Sequence, residues 1–330
     1  MVRVAVLGGG SWGTTVASLT APRHPTILWA RDPDVARAVN EDHVNPSYLP
    51  GFELAAELSA TSDLERAVST ADLLLVGVPT SGFRAVLETA KPHVRPWIPV
   101  VSLAKGLERD SLLRMTQVVK QVLPGHPAAA LTGPNISREI MAGKAAAAVV
   151  ATEDLAVAGA IQKVVTRGLF RVYVNDDVIG CEIGGALKNV IAIAAGIGEG
   201  LEVGDNTRAA VMSRGLAELT RLGVALGAEP TTFAGLAGMG DLIATCMSPH
   251  SRNRTVGELL GRGQKLEEIL AGMHMVAEGL NTAVLVLELA ERHGVEMPIC
   301  RVIDRVVRGE LAPADAYFGL TAAGHESEPG

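Results

Sequence analysis

Apolar residues follow two regimes along this chain, and the change between them marks its organisation. Val2–Leu7 is a short β-branched run ending in Gly8-Gly9-Gly10, the pattern of a buried parallel strand entering a tight turn. A helix is predicted from Trp12 to about Thr20, before Pro22. Thr26–Trp29, Leu73–Val78 and Ile98–Leu103 read as further strands, and Ala128–Leu131, Ala146–Ala151 and Leu169–Val174 continue the series. Strands alternating with helical patterns predict βαβ units and an α/β fold with a doubly wound, mainly parallel sheet, buried on both faces. After Asn175-Asp176-Asp177 the strand-like runs stop, and long Ala/Leu/Val/Gly helical patterns extend to about Val307. The expected organisation is therefore an α/β domain over 1–177, an all-helical domain over 178–321, and a small, polar tail over 322–330 that is expected to be disordered.

Composition narrows the function classes. Hydrophobic residues make up 48% and charged residues 20% of 330, which is globular, and a net charge of −7 argues against nucleic-acid or anionic-membrane partners. Any phosphorylated ligand then needs positive charge concentrated locally. Cys181, Cys246 and Cys300 form no CxxC pair, so buried, inert thiols in a reducing compartment are expected. Eight histidines and three cysteines show no metal-ligand spacing. The N-terminus enters a strand pattern directly, and the apolar runs break before membrane-spanning length, as Ala145–Ala151 does at Glu153-Asp154. A cytoplasmic location without membrane insertion is the expectation.

Gly8-x-Gly10-x-x-Gly13 follows the first strand and opens the first helix, the context in which this fingerprint binds a dinucleotide. Gly8 permits the turn, Gly10 lets the backbone approach a diphosphate, and Gly13 lets the helix pack closely on the sheet. The helix N-terminus offers free N–H groups to the anion. The first domain is thus Rossmann-type. At the end of the second strand, an acid would grip ribose hydroxyls and an arginine would accommodate a 2′-phosphate. Here Arg31 is followed at once by Asp32, so NADP or NAD both fit and NADPH is favoured.

Lys188 and Asn189 are the only strongly polar residues in Ile183–Ile197, which is otherwise apolar or small all round. A buried ammonium costs several kcal/mol unless paired, and desolvation favours its neutral form. Such a lysine is suited to proton transfer; a lysine that snorkels to the surface would read the same way. Gly238-Met239-Gly240-Asp241 is a glycine-rich turn whose carboxylate is either a helix cap or an orienting group for chemistry. Ser251-Arg252-Asn253-Arg254 precedes Thr255 and Glu258, which stand in capping-box spacing. It is either solvated surface or a phosphate clamp of hydroxyl, guanidinium and amide. Lys105, just past a strand's carboxyl end, and Gly133-Pro134-Asn135, in the corresponding place after Ala128–Leu131, lie where doubly wound sheets bind ligands.

Together these motifs resemble the NAD(P)-dependent glycerol-3-phosphate dehydrogenase family. The matching stretches are Gly8–Thr14, Ser102–Gly106, Gly133-Pro134 with Glu139, Ala186–Gly196, Asn206, Ser213–Leu216, Gly235–Leu242, Ser251–Arg254 and Val276–Gly279, in the family's order. The resemblance implies a Rossmann domain plus a helical domain, in a homodimer. It implies reversible NAD(P)H-dependent reduction of dihydroxyacetone phosphate to sn-glycerol 3-phosphate, feeding glycerophospholipid synthesis. On it, Ser11, Trp12, Arg31, Lys105, Arg252, Val276 and Glu278 fall at cofactor contacts. Lys105, Gly133, Asp241, Ser251, Arg252 and Asn253 fall at substrate contacts, and Lys188 at the proton-transferring position, with Lys105 and Asp241 supporting it. Gly133-Pro-Asn-Ile-Ser137 stands where the family often reads Gly-Pro-Ser-Phe-Ala. Asn135 can still bind the substrate, whereas Ser137 replaces a small apolar cofactor neighbour. Two other readings compete: a dehydrogenase of similar plan acting on a branched hydroxy acid or sugar acid, and a catalytically silent dinucleotide sensor. Arg252-Asn253 after the glycine-rich turn argues for a phosphate against the first, and Lys188 with Asp241 argues against the second.

Overall fold

In the computed structural model the described residues are 1–273 and 277–321, so the 322–330 tail lies outside them. The chain divides into two compact units, Met1–Glu182 and one beginning at Ile183. The first holds eight strands: β1 (Val4–Leu7), β2 (Thr26–Trp29), β3 (Ser59–Thr61), β4 (Leu73–Val76), β5 (Val100–Ser102), β6 (Ala128–Thr132), β7 (Ala146–Ala151) and β8 (Phe170–Asn175). They form one sheet in the order β3-β2-β1-β4-β5-β6-β7-β8, in which β3 to β6 are mutually parallel. The order reverses between β1 and β4. In such a sheet the crevice beyond the strands' carboxyl ends at that point is the ligand position.

Both faces of the sheet are buried along β1, β4, β5 and β6, as continuous apolar strands require, but the expectation fails at the edge strand β8, where Arg171 and Tyr173 are exposed. Val4 and Val6 of β1 join one core with Leu28, Leu73, Leu75, Val101 and Leu131, while Ala5 and Leu7 point the other way, into a core with Leu74, Val76, Val100, Phe83 and Val118. Seven of the strands coincide with the predicted runs. β3 was not predicted: Ser-Ala-Thr is too short and too polar to register as a run, and pairing to β2 alone makes it a strand.

The sheet is not parallel throughout: β7 runs antiparallel to β6, and β8 is parallel to β7. The connection from β6 to β7 contains only the five-residue helix Ser137–Met141. The chain re-enters the sheet from the end at which it left.

Among the described residues the second unit is entirely helical. Its central helix, Val178–Gly200, begins in the first unit and continues through the second. At 23 residues it is long and apolar enough to cross a membrane by length and composition, which corrects the expectation that every apolar run stops short. Its window is 94% buried inside the protein, however, which marks it as a core helix. Within this unit Glu218 is 2% exposed and accepts from the backbone N–H groups of Ile299 and Cys300, capping the helix Pro298–Val307; burial pushes its carboxyl up to about 7. The three cysteines are free and buried, and burial pushes the Cys246 thiol up to about 12. Inert thiols are the consequence.

Candidate active site

In the first unit the glycine loop lies between β1 and the helix Ser11–Thr20. A Cβ on Gly8, which has φ +120°, would come within 2.8 Å of the Gly77 carbonyl beyond β4, and one on Gly13 would sit 2.1 Å from the Gly8 oxygen. These two glycines are packing requirements. Gly10 differs, because a Cβ there would meet no atom within 4 Å. The helix it caps has no side-chain cap and no acid in its first turn, so no side chain there competes with an anion for its leading N–H groups. Ser11 has its hydroxyl committed to the Tyr48 carbonyl at 2.6 Å. The Trp12 ring packs edge-on against Phe170, with centroids 6.0 Å apart, and its indole Nε1 is buried with no hydrogen-bond partner.

At the end of β2, Arg31 is exposed and Asp32 caps the helix Pro33–Glu41, its carboxylate accepting from Asp34 N–H at 2.9 Å. One carboxylate oxygen of Asp32 thus serves the helix, and the side chains of both residues are exposed at the strand's end. Beyond β5 and β6, Lys105 Nζ donates to the Gly133 carbonyl at 2.8 Å, so these two residues are brought together. Asn135, two residues on, buries both its amide nitrogen and its oxygen with no hydrogen-bond partner. A buried amide left unsatisfied costs about 1–3 kcal/mol, and in a ligand crevice it marks a place a polar ligand fills. Ser137 is the first residue of the following short helix and is half-buried.

In the second unit the structure brings Lys188 and Asp241 together across 53 positions of sequence. Lys188 is 5% exposed and Asp241 1%, and Nζ donates to Asp241 Oδ1 at 2.5 Å. Lys188 does not snorkel, and Asp241 does not cap: it is the first residue of the helix Asp241–Met247, and its carboxylate is on the lysine. The carboxylate offsets the desolvation that burial imposes on the ammonium. Leu236–Gly240 forms a π-helical turn immediately before Asp241, and Gly184, one turn before Lys188, admits it closely: a Cβ there would be 2.6 Å from the Ala237 oxygen. Thr245 was missed by the sequence reading. It lies one helical turn after Asp241, accepts from Lys188 Nζ at 2.6 Å and donates to the Asp241 carbonyl at 2.6 Å. Its i+4 spacing from the acid was the available signal.

The helix Arg252–Gly261 starts one turn earlier than the Thr255/Glu258 spacing predicted. Ser251 is its cap, accepting from Arg254 N–H at 3.3 Å, while Thr255 bonds back to the Ser251 carbonyl and Glu258 pairs with Arg254 at 3.0 Å. A serine at the boundary outcompetes a threonine a turn inside it, because only the boundary N–H groups lack acceptors. Arg252 is exposed at the first helical position. Asn253 is buried and largely committed: Nδ2 donates to Asn189 Oδ1 at 2.9 Å, and Oδ1 accepts from Gly279 N–H at 3.0 Å. It ties the helix Val178–Gly200 to the start of the helix Glu278–Arg292. Glu278 opens that helix and is half-buried, and Val276 lies outside the described residues.

Residues 3–158 match the family described as NAD-dependent glycerol-3-phosphate dehydrogenase N-terminus, and residues 177–317 match its C-terminus. The chain belongs to the NAD-dependent glycerol-3-phosphate dehydrogenase family. A glycerol-3-phosphate dehydrogenase (NAD(P)+) of Sphingopyxis alaskensis is 55% identical, over 100% of this chain and 99% of its own. One from Mycobacterium avium is 52% identical over 98% of this chain and 96% of its own. The crystal structure of glycerol-3-phosphate dehydrogenase from Coxiella burnetii superimposes with a TM-score of 0.93 at 34% identity, covering 98% of this chain and 99% of that one. The family's enzymes are NAD(P)-dependent oxidoreductases that reduce dihydroxyacetone phosphate to glycerol 3-phosphate.

A nicotinamide dinucleotide fits the residues that a glycerol-3-phosphate dehydrogenase needs for it here. The open face at Gly10 and the uncapped, acid-free helix start suit a diphosphate. The exposed side chains of Arg31 and Asp32 stand where the second strand ends, with Asp32 also capping the following helix.

Proposed function

We propose that this glycerol-3-phosphate dehydrogenase works chiefly in the reductive direction with NADPH, in the cytoplasm and as a homodimer, supplying glycerol 3-phosphate for glycerophospholipid synthesis. The buried Lys188–Asp241–Thr245 arrangement carries the catalytic part of this reading. When bound, the reduced nicotinamide supplies a hydride to the carbonyl carbon. Negative charge then develops on the carbonyl oxygen, where an ammonium both stabilises it and provides the proton. An ammonium has three donors. Asp241 and Thr245 each accept a hydrogen bond from it, which fixes the orientation of the ammonium head. Asp241 stabilises the charged lysine before the proton leaves.

Ser251 and Arg252 occupy the start of a ten-residue helix with no acid in its first turn, a setting suited to a phosphate dianion. Asn253 contributes mainly by holding that helix start against Asn189 and Gly279. Lys105, Gly133 and Asn135 are assigned substrate contacts, with Lys105 also near the cofactor. Gly8, Gly10, Ser11, Trp12, Gly13, Arg31, Ser137, Arg252, Val276 and Glu278 are assigned to the cofactor, Ser11 and Trp12 through their backbone.

Steady-state kinetics with dihydroxyacetone phosphate and each reduced cofactor test the preference. A higher kcat/KM is expected with NADPH. Arg31→Ala should raise KM for NADPH by about tenfold, the worth of one charge-assisted pair, and leave KM for NADH nearly unchanged. Equal losses with both cofactors would assign Arg31 to the adenine and remove the basis for the preference.

A further inference from the structure

Asn45 lies in the loop after the helix Pro33–Glu41, at an Asn-Pro step with the outward look of a turn. It is nevertheless 0% exposed, and all of its amide is used. One N–H donates to the Gly9 carbonyl at 2.8 Å and the other to Thr14 Oγ1 at 2.8 Å, while Oδ1 accepts from Tyr48 N–H at 3.2 Å. Thr14, also 0% exposed, donates its hydroxyl to the same Gly9 carbonyl at 3.2 Å. Asn45, Thr14 and Gly9 O thus close a ring in which each donor and each acceptor has a partner. The ring fixes the amide's orientation, since a carbonyl can only accept.

A trans peptide is planar, so its C=O and N–H point in opposite directions. Two donors drawing the Gly9 oxygen inward therefore turn the N–H of the next residue, Gly10, outward. Gly10 is the loop position with open space around its α-carbon. We infer that Asn45 and Thr14 are positioning residues for cofactor binding, which hold the Gly9–Gly10 peptide with its N–H directed at the dinucleotide's diphosphate. This rests on the glycine loop being the dinucleotide site. Neither side chain touches the cofactor in this scheme. Each acts by removing the peptide's freedom to rotate, so that the binding geometry exists before the ligand arrives. Without Asn45 the Gly9 carbonyl keeps only a hydroxyl that has itself lost its donor, and a Gly-Gly peptide is the least restrained of all.

The test is NADPH binding to the full chain by isothermal titration, alongside steady-state kinetics and thermal melts, for Asn45→Ala, Asn45→Ser, Thr14→Val and Thr14→Ser. Asn45→Ala and Thr14→Val should raise the NADPH Kd and KM about tenfold or more. Their kcat at saturating NADPH and their KM for dihydroxyacetone phosphate should stay within about threefold of wild type. Thr14→Ser, which keeps the hydroxyl, should bind nearly as wild type, and Asn45→Ser should fall between. A folded Asn45→Ala that binds NADPH as wild type does overturns the inference. So does a loss of melting temperature with no selective change in NADPH affinity, or a Thr14→Ser as weak as Thr14→Val. A wild-type chain that fails to bind NADPH would instead remove the dinucleotide reading itself.

Discussion

Lys188→Ala should lower turnover of dihydroxyacetone phosphate by about a hundredfold or more while NADPH still binds. Loss of one positioned acid that also stabilises developing charge commonly costs this much. The loss should appear in kcat, because the interaction is strongest when the carbonyl oxygen carries charge, which is the transition state and not the ground state. Truncating the lysine has a second consequence. It leaves the Asp241 carboxylate, 1% exposed, without its ammonium, at a cost of about 3–5 kcal/mol in stability. The double variant Lys188→Met with Asp241→Asn removes the stranded charge and separates the two effects. It should melt close to wild type and remain as inactive as the single variant. Single-turnover mixing of the pre-bound NADPH complex with substrate, followed by nicotinamide absorbance, reads the chemical step directly. Turnover within a few-fold of wild type in a well-folded double variant would take the proton from Lys188 and give it to another group.

The second large effect is expected at Arg252. A chain of net charge −7 needs local positive charge to hold a dianion, and Arg252 stands at a helix start with the Ser251 hydroxyl beside it. A charge-assisted hydrogen bond is worth roughly 1.5–3 kcal/mol, so Arg252→Ala should weaken kcat/KM for dihydroxyacetone phosphate at least about tenfold. Reduction of unphosphorylated dihydroxyacetone, which gains nothing from the clamp, should change little. The ratio of the two specificity constants is the informative quantity. Because Arg252 is also assigned to the cofactor, NADPH affinity is measured in parallel and its loss subtracted. Discrimination equal to wild type after that correction would place the phosphate on other residues.

Most of the fold was legible because most of its strands are apolar runs of three to six residues, and such runs need little context. Thr26–Trp29 and Ala146–Ala151 have the bounds read from the pattern. What hydrophobicity cannot encode is strand direction. The reversal at β7 has no signature in its apolar run, and β3 exists only through its partner. The site was legible to the same degree. Lys188 stood out as a costly charge in an apolar helix and Asp241 as a lone acid in a glycine turn, but their pairing is a tertiary fact. Asn189 shared the lysine's signal, Thr245 had only its i+4 spacing from Asp241, and Asn45 carried none. Polar residues of ordinary size are common on helices and in turns, and only their burial shows that they are committed. Asp32 adds a role its letter did not single out: one carboxylate oxygen accepts from Asp34 N–H and caps a helix. The capping box at Thr255 failed because Ser251 reaches the same helix's free N–H groups first.

The central claim is that this chain moves a hydride from a reduced nicotinamide to the ketone of a three-carbon phosphate. The most direct test is to incubate the purified protein with NADPH and dihydroxyacetone phosphate and to measure both nicotinamide oxidation and sn-glycerol 3-phosphate. The account predicts that the two appear in equal amounts, at a rate proportional to protein and absent from Lys188→Ala. Oxidation of NADPH without sn-glycerol 3-phosphate, or no oxidation with this substrate in a preparation that binds NADPH, would contradict it.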